Sequence, residues 1–272
     1  MPTVSGYTGS PTIVPDVSFA GLTGTSYIYT GNGSLSFSAG GLIHYLVVGG
    51  GAPGGSAGYA AAGGGAGGDV VPGSDTVDAG TLNITVGAAR ASVDYFSTRV
   101  AGNPSTLTGL LSVTAYGGQY GDGGFSNNPG GSGTGNGGGG GNGGAGGTSS
   151  SGGNGGGGSS TDNGGGGGGA GGAGGDGYYS EEDGFVGGLG GIGVTDDITG
   201  VAITYGEGGC GAARWGDSRT SVAGSGGYGG TDAARAGGNG VDGTGSGGGG
   251  SSSDDTLGGT GGRGRFAVHI RS

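Results

Sequence analysis

The sequence predicts a mostly β and irregular fold. A small antiparallel β framework, made of N-terminal strands plus one C-terminal strand, carries a bundle of packed polyglycine-II helices, with essentially no α-helix. Three observations predict it. Glycine fills 90 of 272 positions, in unbroken runs such as 137–141, 155–158 and 164–169. Short apolar segments with strand alternation precede those runs. A well-patterned segment, Arg265–Arg271, follows them and closes the chain.

Glycine at about a third is a collagen-like share, but collagen needs glycine at every third position and abundant proline. Here glycine comes in runs and there are only 7 prolines, which excludes collagen. Composition alone also fits a disordered linker. The closing segment argues against that. Phe266, Val268 and Ile270 share one face, as a half-buried strand requires. Pairing with strands from the first 116 residues would tie both ends of the glycine region to one platform.

Taken in order, residues 1–24 are small, polar and proline-marked (Pro2, Pro11, Pro15) and read as an N-terminal arm, either frayed or a docking segment. Residues 25–116 read as a β-rich platform. Within it, Tyr27–Thr30 and Leu35–Ser38 flank Gly31-Asn32-Gly33, the signature of a hairpin, because Asn-Gly tolerates the positive φ of a tight turn. Leu42–Val48 is the most apolar stretch and suits a central strand. Thr81–Val86 alternates cleanly, and Leu110–Tyr116 leads into the glycine region. Residues 117–262 form the glycine-rich bundle with variable loops and one short strand at 201–205; residues 263–272 return to the platform.

A glycine run becomes a fold through its backbone. Polyglycine II, like polyproline II, is extended, with three residues per turn, about 3.1 Å rise per residue and no internal hydrogen bonds. Its N–H and C=O groups point outward and can bond to neighbouring helices, because no Cβ blocks their approach. Cα hydrogens add weak contacts to carbonyls. Ordering a residue costs about 1–2 kcal/mol. Each hydrogen bond returns about 0.5–1.5 kcal/mol net. Such a bundle therefore needs a platform that holds its helix ends in register.

Charge narrows the partners. Nineteen acids face eight bases, all arginine, for a net charge of −11. That field repels phosphate backbones and anionic membranes, so no nucleic-acid partner is expected. No apolar run approaches the roughly 20 residues of a spanning helix, so no membrane insertion is expected either. Met1-Pro2-Thr3-Val4 has no basic n-region or apolar core, so synthesis in a cytoplasm is expected. Cys210, the one cysteine, allows no intrachain disulfide.

No catalytic constellation stands out, and no catalytic residue, metal or cofactor is expected. There is no lysine for a P-loop, and matches to GxGxxG open no helix. His44 and His269 could share a metal only if their strands were neighbours. The acidic clusters at 181–183, 196–197 and 254–255 lack EF-hand spacing and read as solvated loop charge. The aromatics are more telling. Tyr120, Phe125, Tyr178, Tyr179, Phe185, Trp215 and Tyr228 form islands between glycine runs, with Arg214 and Arg219 beside the tryptophan. Two readings are open. They are recognition residues on rigid loops, or satellite cores that plug the bundle ends.

Several pieces carry a family resemblance: Ser34–Ser38 followed by His44-Tyr45-Leu46-Val47-Val48-Gly49-Gly50-Gly51, then Ala66–Val71, Leu82–Gly87, Val113–Gly118 and Gly258–Ile270. In order and spacing these resemble the glycine-rich domain family of phage tail-fibre and adhesin proteins. The resemblance implies a virion protein made in the host cytoplasm. It would be a tail-fibre or tail-tip adhesin, non-enzymatic, that binds a bacterial surface glycan or outer-membrane protein through loops on a polyglycine scaffold. Other virion proteins, and further copies of the chain, are the implied assembly partners. The alternative is a capsid decoration or head-fibre protein with a passive role.

Overall fold

A computed structural model describes residues 1–94, 97, 99–123, 129–159, 162–217, 224–231, 233–252 and 256–271. All its regular elements are strands: β1 (Thr3–Thr8), β2 (Thr12–Phe19), β3 (Leu22–Tyr29), β4 (Gly33–Ala39), β5 (Gly41–Val48), β6 (Val70–Val77), β7 (Gly80–Thr85), β8 (Ser105–Gly109), β9 (Val113–Ala115), β10 (Tyr178–Ser180), β11 (Gly184–Val186), β12 (Val194–Asp196), β13 (Ile203–Tyr205), β14 (Gly216–Asp217) and β15 (Arg265–Arg271). No helix among the described residues is long and apolar enough to cross a membrane.

Two five-stranded sheets make the platform, in the orders β1-β4-β7-β8-β9 and β2-β3-β15-β5-β6. One core cluster unites them: Leu35 and Phe37 of β4, Leu82 and Ile84 of β7 and Leu107 of β8 join Tyr29, Ile43, Tyr45, Val47, Phe266, Val268 and Ile270. The alternating residues of β15 thus point one set inward, as their period of two requires. The returning strand sits between β3 and β5, antiparallel to both. The other face of β5 and β15 is covered too. Leu46, Val48 and Ala267 form a second cluster with Ile198 and Tyr205, contributed by the β12–β13 region. Burial on both faces explains why Tyr45–Val48, the second half of this strand, is continuously apolar.

The structure corrects three expectations. Gly31-Asn32-Gly33 is not a hairpin turn, because β3 and β4 lie in different sheets. β2 and β15 occupy both edges of β3, and β1 and β7 occupy both edges of β4. Asn32 serves the crossover instead: its Oδ1 accepts the Val86 N–H at 2.9 Å. Residues 1–24 are not frayed, since β1 and β2 each add an edge strand to one sheet and β3 begins within the same segment. The outer strand β2 carries Pro15, and Asp16 has φ 55 at a break in register; such features blunt an edge against further pairing. Finally, the bundle is not confined to 117–262.

Its centre is residues 61–69, which the sequence places in the platform. The partners of this segment repeat every third residue. Ala62, Gly65 and Gly68 donate to the carbonyls of Ser251, Gly248 and Gly245. Gly63, Ala66 and Asp69 donate to Asp122, Gln119 and Tyr116, while Gly64 and Gly67 donate to Gly165 and Gly168. In return, Gly63, Ala66 and Asp69 accept from Gly55, Ala52 and Gly49. Ala62 and Gly65 accept from Ala212 and Gly209, and Ala61 and Gly64 accept from Asn142 and Gly139. Three donor directions and three acceptor directions surround one axis, at distances of 2.7–3.2 Å. A partner repeat of three is what a threefold extended helix packed among neighbours requires. The Asn136 side chain completes the acceptor row, donating to the Gly67 carbonyl at 2.8 Å.

Close approach is why this segment is glycine and alanine. A Cβ on Gly64 would lie under 3.0 Å from the Gly209 carbonyl, a separation real Cβ atoms essentially never show. At the bundle end away from the sheets an ion pair adds to this backbone bonding: Arg99, partly exposed, donates through Nη1 to Oδ1 of the fully buried Asp122 at 2.7 Å. Burial raises the Asp122 carboxyl to about 7 even so, with Arg99 and the Gly123 and Gly141 N–H groups opposing the rise.

On the outer face of the second sheet, His269 is fully buried and its Nδ1 lies 3.1 Å from Ser26 Oγ, which donates to the Ile198 carbonyl at 2.6 Å. Burial, with His44 alongside, holds the His269 imidazole below its ordinary value.

Two stability measurements test this architecture. Gly64→Ala should cost about 3 kcal/mol, lowering Tm by roughly 6–12 °C, because backbone on both sides cannot yield. Gly31→Ala, which meets nothing within 4 Å, should melt near the wild type. Equal melting of the two variants would contradict the backbone packing. The second measurement is pH-dependent. A His whose folded value is depressed binds its proton more readily when unfolded, so its contribution is present above about pH 6.5 and is lost as pH falls below it. Asp122 acts in the opposite sense, favouring the fold as pH drops through about 7. Comparing wild type with His269→Asn by denaturant melts between pH 7 and 5 isolates the first effect. The wild type should lose more stability over that range than the variant.

Candidate functional site

The bundle has two unlike ends. At one end its helices run directly into strands: Gly49 follows β5, Asp69 precedes β6, Tyr116 follows β9 and Gly264 precedes β15. The other end lies where residues 61–63 bond to Asn142, Ala212, Ser251 and Asp122. There the chain turns back through its variable loops, so any side chain in them is presented on a scaffold fixed by backbone bonds.

A three-stranded sheet, β10-β11-β14, grows from these loops. β10 and β11 form an antiparallel hairpin in which Tyr179 faces Phe185, their rings 5.1 Å apart. β14 adds in parallel beside β11. Trp215 leads into β14 and is 67% exposed. Its backbone is left-handed, φ 61, which a bulky side chain rarely adopts. The Arg214 guanidinium lies 5.7 Å from the Trp215 ring centre and donates through Nη1 to the Tyr59 carbonyl at 2.6 Å. The Arg214 N–H donates to the Asp162 carbonyl at 2.7 Å. Tyr178, Tyr179, Phe185, Arg214 and Trp215 therefore share one end of the molecule, and Tyr59, also exposed, joins them.

Tyr120 and Tyr228 lie elsewhere. The Tyr120 ring is half-buried against Gly131, and Tyr228 lies along Gly238 on the bundle flank. Tyr120 is thus partly covered, whereas Tyr228 remains exposed away from the Tyr178–Trp215 group. Phe125 and Arg219 lie outside the described residues, as do Asp254 and Asp255. Sequence reasoning passed over Tyr59 because it was assigned to the platform. Gly58-Tyr59-Ala60 is nonetheless an aromatic island of the same kind.

Beside Tyr178 a groove of about 480 Å³ runs between segments 143–145, 157–159 and 176–178. Its walls are mainly glycine backbone, with Ser159, Asp176 and Tyr178 supplying the longer side chains. Asp176 is exposed and anchored: its Oδ1 accepts the Gly157 N–H at 2.6 Å. Two smaller cavities, about 300 and 250 Å³, sit on the platform and share Met1, Pro2 and Arg271.

His44 and His269 do prove to be neighbours. They are register partners on β5 and β15, with ring centres 6.5 Å apart and Phe19 packed on both. Among the described residues no group of three or more His, Cys, Asp and Glu is arranged to hold a metal ion. Cys210 is buried in the bundle, where its sulfur accepts the Gly190 N–H at 3.4 Å.

The model of the glycine-rich domain matches residues 18–271. The chain belongs to this glycine-rich domain family. No curated protein and no solved structure matches it. The matched region takes in the whole bundle and every strand from β3 to β15, so the glycine-rich domain includes the platform apart from β1 and most of β2.

The strained tryptophan separates recognition from plugging. A left-handed backbone costs a bulky residue about 1–2 kcal/mol, which glycine avoids. Trp215→Gly should therefore melt within about 1 kcal/mol of wild type. A loss of several kcal/mol in a denaturant melt would show that Trp215 is a core plug.

Proposed function

We propose that this glycine-rich domain is a non-enzymatic phage virion component, a tail-fibre or tail-tip adhesin that attaches to the bacterial host surface. The observation that carries the reading is the concentration of exposed aromatic side chains at the bundle end remote from the platform. Tyr59, Tyr178, Tyr179 and Trp215 are all exposed there. Aromatic residues held on a fixed frame give large contact area for little loss of conformational freedom. Trp215 also keeps a strained backbone, of the kind that tends to persist at functional sites.

The chemistry gathered at this end suits binding rather than bond cleavage. It offers ring faces, one guanidinium already engaged and the exposed carboxylates of Glu181, Glu182 and Asp183. In this reading the platform end faces the other virion proteins, and the loop end faces a surface glycan or an outer-membrane protein. The protein is made in the host cytoplasm and resides in the virion.

Purified protein should block adsorption of the parent phage to its host, and antibody against it should label the tail tip in micrographs. Label on capsids, with adsorption unaffected by excess protein, would replace this reading with a head-decoration role.

A further inference from the structure

The groove beside Tyr178 has a chemistry of its own, and we infer that it is a saccharide subsite for neutral or amino sugars. This rests on the attachment reading and names the class of receptor. Its volume, about 480 Å³, falls within the range of small-ligand sites. Three features select the ligand. First, the walls are mainly glycine backbone, from Gly143, Gly144, Gly157, Gly158 and Gly177, with Ala145 beside them. They have no rotamers to order on binding, and their exposed surface is more carbon than polar, so polar recognition falls to a few fixed groups. Second, Tyr178 is 44% exposed at the groove edge and supplies a ring face for the C–H side of a pyranose. Third, Asp176 is held through Oδ1 by the Gly157 N–H at 2.6 Å, while Oδ2 has no partner among the described residues. A fixed carboxylate with a free oxygen accepts from adjacent hydroxyls, or from a sugar ammonium, by charge-assisted bonds.

The rest of the chain restricts the sugar. A net charge of −11, with Glu181, Glu182 and Asp183 exposed nearby in sequence, disfavours sulfated, phosphorylated or carboxylated glycans. The backbone bonds behind the groove pre-form it: Gly158 donates to the Gly144 carbonyl at 3.0 Å and Gly177 to the Gly157 carbonyl at 2.9 Å. The ligand therefore meets a site already shaped, which lowers the entropic cost of binding.

The test measures binding of the purified full chain to host cells before and after two treatments. Periodate cleaves vicinal diols of sugars; protease removes surface proteins. Binding should be lost after periodate and kept after protease. Tyr178→Ala should weaken binding to untreated cells at least roughly tenfold, and Tyr178→Trp should restore it, since a ring face is retained. Tyr7→Ala, exposed on the platform, should bind as wild type. Thermal melts of all variants confirm that each is folded. Binding kept after periodate and lost after protease would overturn the saccharide site while leaving attachment intact, with a protein receptor. So would wild-type affinity in Tyr178→Ala. Failure of the wild type to bind cells at all would defeat the attachment reading itself.

Discussion

Every feature of this fold depends on one constraint: a threefold extended helix cannot satisfy its own backbone. An α-helix bonds to itself and a strand bonds to two neighbours, but residues 61–69 send donors in three directions and receive from three more. The helix exists only if six neighbours are present. Each neighbour must approach so closely that side chains are excluded along the shared faces. Glycine is therefore required by the contact distance, and alanine enters only where its methyl finds a gap, as at Ala52, Ala61, Ala62 and Ala66, all buried.

Such a lattice has little hydrophobic drive of its own, which places the burden of order on the sheets. The platform buries an ordinary two-sheet core, and its strands deliver helix starts at set positions. β5 delivers Gly49, β9 delivers Tyr116, and β15 receives the chain from Gly264. Insertion of β15 between β3 and β5 links the last residues of the chain to the first sheet strands. The bundle is thereby closed at both ends of the sequence, and the side-chain core and the backbone core support one another.

This division of labour separates stability from presentation. The loops at the far end are not needed to fill a core, so they are free to carry exposed rings, an acidic turn and a groove walled by peptide groups. Rigid support matters most for such a surface. Tyr179 and Phe185 are held by strand pairing and Asp176 by a backbone N–H, so contacts are fixed before any partner arrives.

The sequence by itself determined the element types. Alternation marked β4, β7 and β15, the apolar run marked β5, and glycine runs with a returning strand marked a backbone-packed bundle. These are local signals, written in side-chain period and in the absence of Cβ atoms. It also placed Tyr178, Tyr179, Phe185, Arg214 and Trp215 in islands between glycine runs. Only the tertiary structure decided which segments meet. Residues 61–69 resemble any other glycine run, and nothing local marks them as central, because the lattice is built from main-chain groups that all residues share. The Asn32-Gly33 turn was misread for the same kind of reason: a competing partner, β15, lies more than 200 residues away in sequence. Tyr59 joins the loop-end aromatics, and Asp176 lines a groove, through chain crossings that carry no sequence period. Pairing between distant backbones leaves no pattern in the residues, and that is where reading the sequence had to stop.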